Sequence, residues 1–168
     1  MEADRRRRLL EQLRDVLAVT RADLARLAEQ VAVFHAAVST RTPSNVEVFG
    51  AGALLHGYYG VLERWMERIA RDLNAGLPEG PDWHRTLLRS MTLDKPGRRP
   101  AVFDEAIAKE LGRYLAFRHL FRHLYVLDLQ WSEMQPLLVD LEDIHRRVDE
   151  RLGRFDAALA SALAASTP

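Results

Sequence analysis

Residues 117–125 read FRHLFRHLY, one tetrapeptide written twice and closed by a tyrosine, in a stretch with no acidic residue from Leu111 through Leu127. A four-residue repeat fits an α-helix, where side chains at i and i+4 stack on one face. The two phenylalanines, arginines, histidines and leucines then form aligned pairs. At about 100° per residue, Ile107, Leu111, Tyr114, Leu115, Phe121 and Tyr125 fall in one stripe, and Arg118 and Arg122 lie inside it. Arginine is seldom buried unpaired, because stripping its charge of water is costly. The spacing therefore predicts either buried carboxylates facing these arginines, with Glu63 and Glu67 as candidates, or a cleft between subunits. The plain alternative is arginine stems covering apolar surface with solvated heads. Phe117, Leu120 and Leu124 fill a second flank, so the helix is expected to face two surfaces.

Outward from this segment the helical period continues. Leu9, Leu10, Leu13, Val16, Leu17, Leu24, Leu27 and Val31 recur mostly three or four apart, predicting one long helix from Arg5 to about Ser39. Pro43 punctuates the following TRTPSN, and Ser44 with Glu47 forms an S-x-x-E capping box for a second helix over about 45–74. Gly50, Gly52, Gly57 and Gly60 in that helix predict close approach of another helix. The Gly50-Ala-Gly52 string is no dinucleotide fingerprint, since Leu55 replaces the last glycine and no strand precedes it. A turn-rich NAGLPEGPD leads to a short helix, WHRTLLRSM, with Asp82 as its expected cap, and DKPGRRP forms the next loop. A fourth helix is predicted from about Val102 to Leu127. A fifth, capped by Ser132 with Gln135, runs to about Ala164. With no strand alternation and no long-period repeat, the expected fold class is all-α: an antiparallel bundle of four long helices plus one short one, in a single domain over 1–168.

Composition narrows the function classes. The 168 residues include no cysteine, which removes disulfides, thiolate chemistry and Cys-ligated zinc. Twenty-four basic residues balance twenty-four acidic ones, so a polyanion site must be local rather than a property of the whole surface. Apolar runs such as VAVFHAAV (31–38) fall short of a membrane span, and Glu11, Arg14 and Asp15 interrupt the leader-like RRRRLL. A cytoplasmic protein without a membrane partner is expected.

His119 and His123 share a face at a spacing that can hold a metal, but the helix offers no nearby carboxylate as a third ligand. Histidine beside arginine suits metal-free phosphoryl transfer at RNA better. There a 2′-hydroxyl attacks the phosphodiester, an imidazole moves protons near neutral pH, and a fixed guanidinium binds the phosphorane-like oxygens.

The string Arg118-His119-Leu-Phe-Arg-His123-Leu-Tyr125 resembles the R-x4-6-H-x-Y motif of HepT-like toxins in the HEPN ribonuclease superfamily, with His119 as the polar residue after the arginine. AGALLHGYYGVLERWMERIARDL (51–73) and GLPEGPDWHRTLL (76–88) are also similar to that subgroup, so the resemblance spans roughly residues 45–150. Arg113 and His119 satisfy R-x5-H as well. Two residues past His119 stands Phe121, however, whereas two past His123 stands Tyr125, and the tyrosine selects the register of Arg118, His123 and Tyr125.

The resemblance implies a metal-independent endoribonuclease without cofactor that acts as a homodimer with a composite interface site. It also implies a minimal nucleotidyltransferase antitoxin, which in some pairs adds AMP to the motif tyrosine. Carried over, His123 is the general acid/base, Arg118 the phosphate stabiliser and Tyr125 the AMPylation candidate, with His119 and Arg122 assisting. Arg118 and His123 are about 140° apart on an ideal helix. Directing both at one phosphate requires a second chain or a break in the helix near Leu124, and the two-sided apolar character favours the second chain. The rival reading is a non-catalytic helical module that partners a nucleotidyltransferase. His56 is expected to pack or hydrogen-bond within the bundle, and His84 to anchor its loop or stack on RNA. His35 and His145 belong to no constellation. The Arg5–Arg8 run and the Arg98–Arg99 pair are expected to be solvated, with contact to RNA phosphate as the alternative.

Overall fold

The computed structural model describes residues 1–123 and 129–165. It contains five helices: α1 (Glu2–Val38), α2 (Asn45–Leu73), α3 (Trp83–Ser90), α4 (Glu105–Arg122) and α5 (Trp131–Ala164). Four are long and α3 is short, in the all-α bundle that the periodicity predicts. Among the described residues the only β-type pairing is an isolated bridge between Lys95 and Arg99. No helix among them is long and apolar enough to cross a membrane.

Helix α1 packs on α5 and α2, α2 on α4, and α4 on α5, closing a ring of four. Side-chain pairings fix the directions. Arg14 meets Asp156 and Arg21 meets Asp149, so numbering falls along α5 as it rises along α1. A Cβ at Gly52 would meet Phe121 and one at Gly60 would meet Arg118, which makes α2 and α4 antiparallel as well. The stripe Leu10, Leu13, Leu17, Leu24 and Val31 buries the α1 face of the core, while α2 contributes the aromatic interior, with Tyr58, Tyr59 and Trp65 all at most 2% exposed. The Trp65 ring meets Phe155 of α5 edge-on at 5.7 Å. Tyr114 of α4 donates its hydroxyl hydrogen to the Leu137 carbonyl at 2.9 Å, satisfying a buried phenol.

The predicted boundaries hold at some ends and move at others. The capping box is present: Ser44 Oγ accepts from the Glu47 amide at 3.4 Å, and the Ser44 amide donates to Glu47 Oε2 at 2.8 Å. Helix α4 starts at Glu105 rather than Val102, because Asp104 Oδ1 caps the Ile107 amide at 2.8 Å. Val102 and Phe103 instead bury in the loop, donating their amides to the Met91 carbonyl. Ser132 and Gln135 do not cap α5. The helix already begins at Trp131, whose indole packs edge-on against Phe34 of α1 at 6.3 Å, and Ser132 falls inside it. Asp82 occupies the cap position of α3 without a side-chain cap hydrogen bond. The predicted last residues of α4, through Leu127, lie outside the described set, and its described part ends at Arg122.

Arg99 corrects another expectation. It is 5% exposed rather than solvated, and donates to Asn74 Oδ1 and to the carbonyls of Ser90, Leu93 and Pro100. One guanidinium thus ties the end of α2 to the end of α3 and the following loop. Burial draws its pKa down to about 10.

Candidate functional site

The site grows from an acidic residue that α2 buries. Glu63 is 1% exposed and lies opposite the second half of α4. Its Oε2 accepts from Arg118 Nε at 3.0 Å and Nη2 at 2.9 Å, while its Oε1 accepts from His84 Nδ1 at 2.5 Å. A buried carboxylate with charge-assisted partners on both oxygens is the arrangement that makes its burial tolerable. Of the two acids expected to face the arginines, Glu63 does so; Glu67 pairs with Arg71 on its own helix.

Arg118 reaches Glu63 across Gly60, where an added Cβ would stand 3.0 Å from Nη1. The same Nη1 meets His56 Nε2 at 3.2 Å. Guanidinium can only donate, so His56 accepts at Nε2 and carries its proton on Nδ1. That Nδ1 is buried without a partner among the described residues, as is the nearby Tyr59 hydroxyl. Burial, then the charges of Arg118 and Arg122, holds His56 below the usual imidazole pKa. Phe121, four residues before the motif tyrosine, lies over Gly52 and against His56, with ring centroids 5.1 Å apart. Gly52 and Gly60 are therefore the close-approach positions of the glycine-rich helix.

The second arm of the cluster comes from α3. His84 stacks on Trp83 at 3.6 Å and presents its ring to the edge of His119 at 4.8 Å. Burial and the adjacent His84 lower the His119 pKa. Glu63, Arg118, His56, His84 and His119 thus form one polar network between α2, α3 and α4.

The repeated tetrapeptide divides here. Its first copy turns inward through Arg118 and His119. Its second copy turns outward: Arg122 and His123 are exposed, and Arg122 has no ion-pair partner among the described residues. His123 is the C-cap of α4, with φ −107° and ψ 8°, and its Nδ1 donates to the His119 carbonyl at 2.7 Å. The helix thus ends at this histidine, but its end does not bring Arg118 and His123 together: the first is turned inward and the second outward. Tyr125 lies outside the described residues.

A protein-family profile described as HepT-like protein matches residues 50–159, which include most of α2, all of α3 and α4 and most of α5. The chain belongs to the HepT-like family of the HEPN superfamily. No curated protein and no solved structure matches it. In this HepT-like chain the Glu63 network sits wholly inside the matched span.

Sequence reasoning named Arg118, His119, His123 and the Glu63 candidate; it expected His56 to pack or hydrogen-bond within the bundle, as it does, and His84 to anchor its loop or stack on RNA, but tied neither to the Arg118–Glu63 pair. Both stand in contact with the Arg118–Glu63 pair. The signal for His84 was present only as a histidine beside a tryptophan at a helix start, and nothing local ties it to a carboxylate 21 residues away. Besides the His119–His123 pair, the chain has one E-x-x-H segment of the kind that holds a metal in helical bundles, Glu142-Asp-Ile-His145. There Glu142 is exposed, and His145 Nδ1 faces the Tyr58 hydroxyl at 3.2 Å. No group of three or more candidate metal ligands occurs among the described residues.

Proposed function

We propose that the protein is a metal-independent endoribonuclease toxin that cleaves RNA at the end of α4. In this reading it acts as a homodimer and is neutralised by a minimal nucleotidyltransferase, with Tyr125 as the acceptor of AMP. The observation that carries the reading is the state of His123. With Nδ1–H committed to the His119 carbonyl, Nε2 is the basic nitrogen, on an exposed residue at the helix end. Nε2 takes the proton of a ribose 2′-hydroxyl as that oxygen attacks phosphorus. The bond from phosphorus to the 5′-oxygen breaks, and a protonated imidazole returns a proton to the leaving oxygen. The products are a 2′,3′-cyclic phosphate and a 5′-hydroxyl end. Arg118 stabilises the charge that gathers on the phosphorane oxygens, oriented by Glu63, while Arg122 and His119 assist from the adjoining turn. The test is cleavage of RNA by the purified protein, with and without chelator. Cleavage that requires His123 and survives chelation is expected; cleavage retained by His123→Ala would reject this assignment.

One observation favours the second reading, a non-catalytic module that partners a nucleotidyltransferase. The Arg118 guanidinium is already neutralised by a buried carboxylate and bonded to His56. In that case the wild-type protein leaves RNA intact yet forms a stable complex with the nucleotidyltransferase, and Arg118→Ala weakens the fold rather than a reaction.

A further inference from the structure

Between α3 and α4 lies an open cleft of about 320 Å³ whose lining includes His119 but not Arg118, Arg122 or His123. His84 and His119 close one end, and Leu88, Ala108 and Leu115 belong to its apolar lining. Arg85, Arg89 and Lys109 stand along it, against Asp82 and Glu105. Those two carboxylates are engaged, Asp82 at 4.0 Å from Arg85 and Glu105 as acceptor of the Thr92 hydroxyl at 2.8 Å. Arg89 and Lys109 have no ion-pair partner among the described residues, and the three cations outnumber the two carboxylates by one beside an apolar floor. Glu63 commits Nδ1 of His84, a residue of the lining, so Nε2 is its one uncommitted ring nitrogen among the described residues.

The floor is left open by a glycine that packing does not require. Gly112 lies within α4, where glycine weakens a helix, and a Cβ added there would meet nothing within 4 Å. This contrasts with Gly52 and Gly60, which are filled by Phe121, Leu129 and Arg118.

We infer that this cleft is a nucleotide subsite for single-stranded RNA, a reading that rests on the proposed action at RNA. The base lies on the apolar floor, Arg89 and Lys109 hold a backbone phosphate, and His84 Nε2 donates to or accepts from the same nucleotide. An apolar face flanked by unpaired cations is the combination that binds an unstacked nucleotide without reading its sequence. The α4 residues of the cleft, Gly112, Ala116 and His119, follow at spacings of four and three and lead on by four to His123. A strand seated there therefore runs toward the proposed reacting end.

The test uses the full chain and a 2′-O-methylated single-stranded oligoribonucleotide, which cannot be cleaved, so binding is read separately from the reaction. Arg89→Glu and Lys109→Glu are each expected to weaken binding on the order of ten-fold and to reduce the slope of log affinity against log salt by about one. Gly112→Leu puts a side chain into the floor from a position whose Cβ meets nothing within 4 Å, and is expected to weaken binding comparably while the protein stays folded by circular dichroism. A photo-crosslinking oligonucleotide is expected to label peptides of α3 and α4. If wild type cleaves RNA through His123 but all three variants bind and cleave like wild type, the subsite is overturned and the nuclease stands. If wild type binds through the cleft but cuts nothing, the subsite stands and the nuclease falls. Absence of any binding by wild type overturns the subsite.

Discussion

Arg118 and Glu63 form a forked contact across the α2–α4 interface, Nε and Nη2 at 3.0 and 2.9 Å from one carboxylate oxygen, with the carboxylate 1% exposed. Removing one member of such a pair strands a charge away from water. Glu63→Ala is expected to destabilise the protein by about 3 kcal/mol or more, because it leaves Arg118 without its counter-charge and deprives His84 of its acceptor. Joint replacement, Glu63→Gln with Arg118→Met, is expected to cost less than the sum of the single changes. Denaturant unfolding of the four proteins closes the cycle, and strict additivity would contradict a coupled pair.

Three glycines rank by the space beside them. A Cβ at Gly52 would stand 2.8 Å from Leu129 and 2.9 Å from Phe121, one at Gly60 would stand 3.0 Å from Arg118, and one at Gly112 would meet nothing within 4 Å. Gly112→Ala is expected to stabilise by about 0.5–1 kcal/mol, the ordinary helix preference for alanine. Gly52→Ala is expected to destabilise most, since two side chains must shift together, and Gly60→Ala to fall between them. Melting temperatures of the three variants give the order directly.

Acid is expected to weaken the fold in two stages. Burial lowers the pKa of His56, His119 and His145 from the ordinary value of 6.5. The unfolded chain therefore binds more protons just below that pH, and stability falls as pH drops through this window. Asp149 and Asp156 are held below the carboxylate value of 3.8 by Arg21 and Arg14, so what these pairs contribute is present above that value and lost as pH falls through the lowered pKa. Between the two stages stability changes little. His145→Gln is expected to reduce the first stage and leave the second. Thermal melts across pH 3–8 check both; a flat profile from pH 7 to 5 would contradict the first.

The parts of this molecule that sequence makes legible are those in which a local pattern carries the whole physical demand. Long stripes such as Leu10 to Val31 have one solution, a helix with one buried face. An arginine written into the apolar stripe of α4 demands an acid, and Glu63 was a candidate on the helix that must face it. Boundaries failed where apolar residues are buried without being helical, as at Val102 and Phe103, or where tertiary packing outweighs a capping signal, as Trp131 does over Ser132. Arg99 misled for a related reason: a basic residue in a loop looks solvated until several chain ends converge on its donors. His84 and His56 were not tied to the site because a histidine's role depends on its partner, and Glu63 and Arg118 come from other helices.

The last prediction separates Arg118 from Arg122, which the repeat makes look equivalent. Arg122 is exposed and has no ion-pair partner among the described residues, so Arg122→Ala is expected to leave stability within about 0.5 kcal/mol of wild type. If it touches the RNA backbone as proposed, the same change raises KM and lowers the salt dependence of binding while kcat holds. Arg118→Lys is expected to do the opposite. A lysine cannot reproduce a fork that spans Glu63 and His56, so the melting temperature falls along with turnover. Activity of Arg118 variants must therefore be measured well below their own melting temperatures. A variant that is fully folded there and still inactive assigns Arg118 to the reaction, and one that cleaves RNA normally when folded assigns it to the scaffold alone.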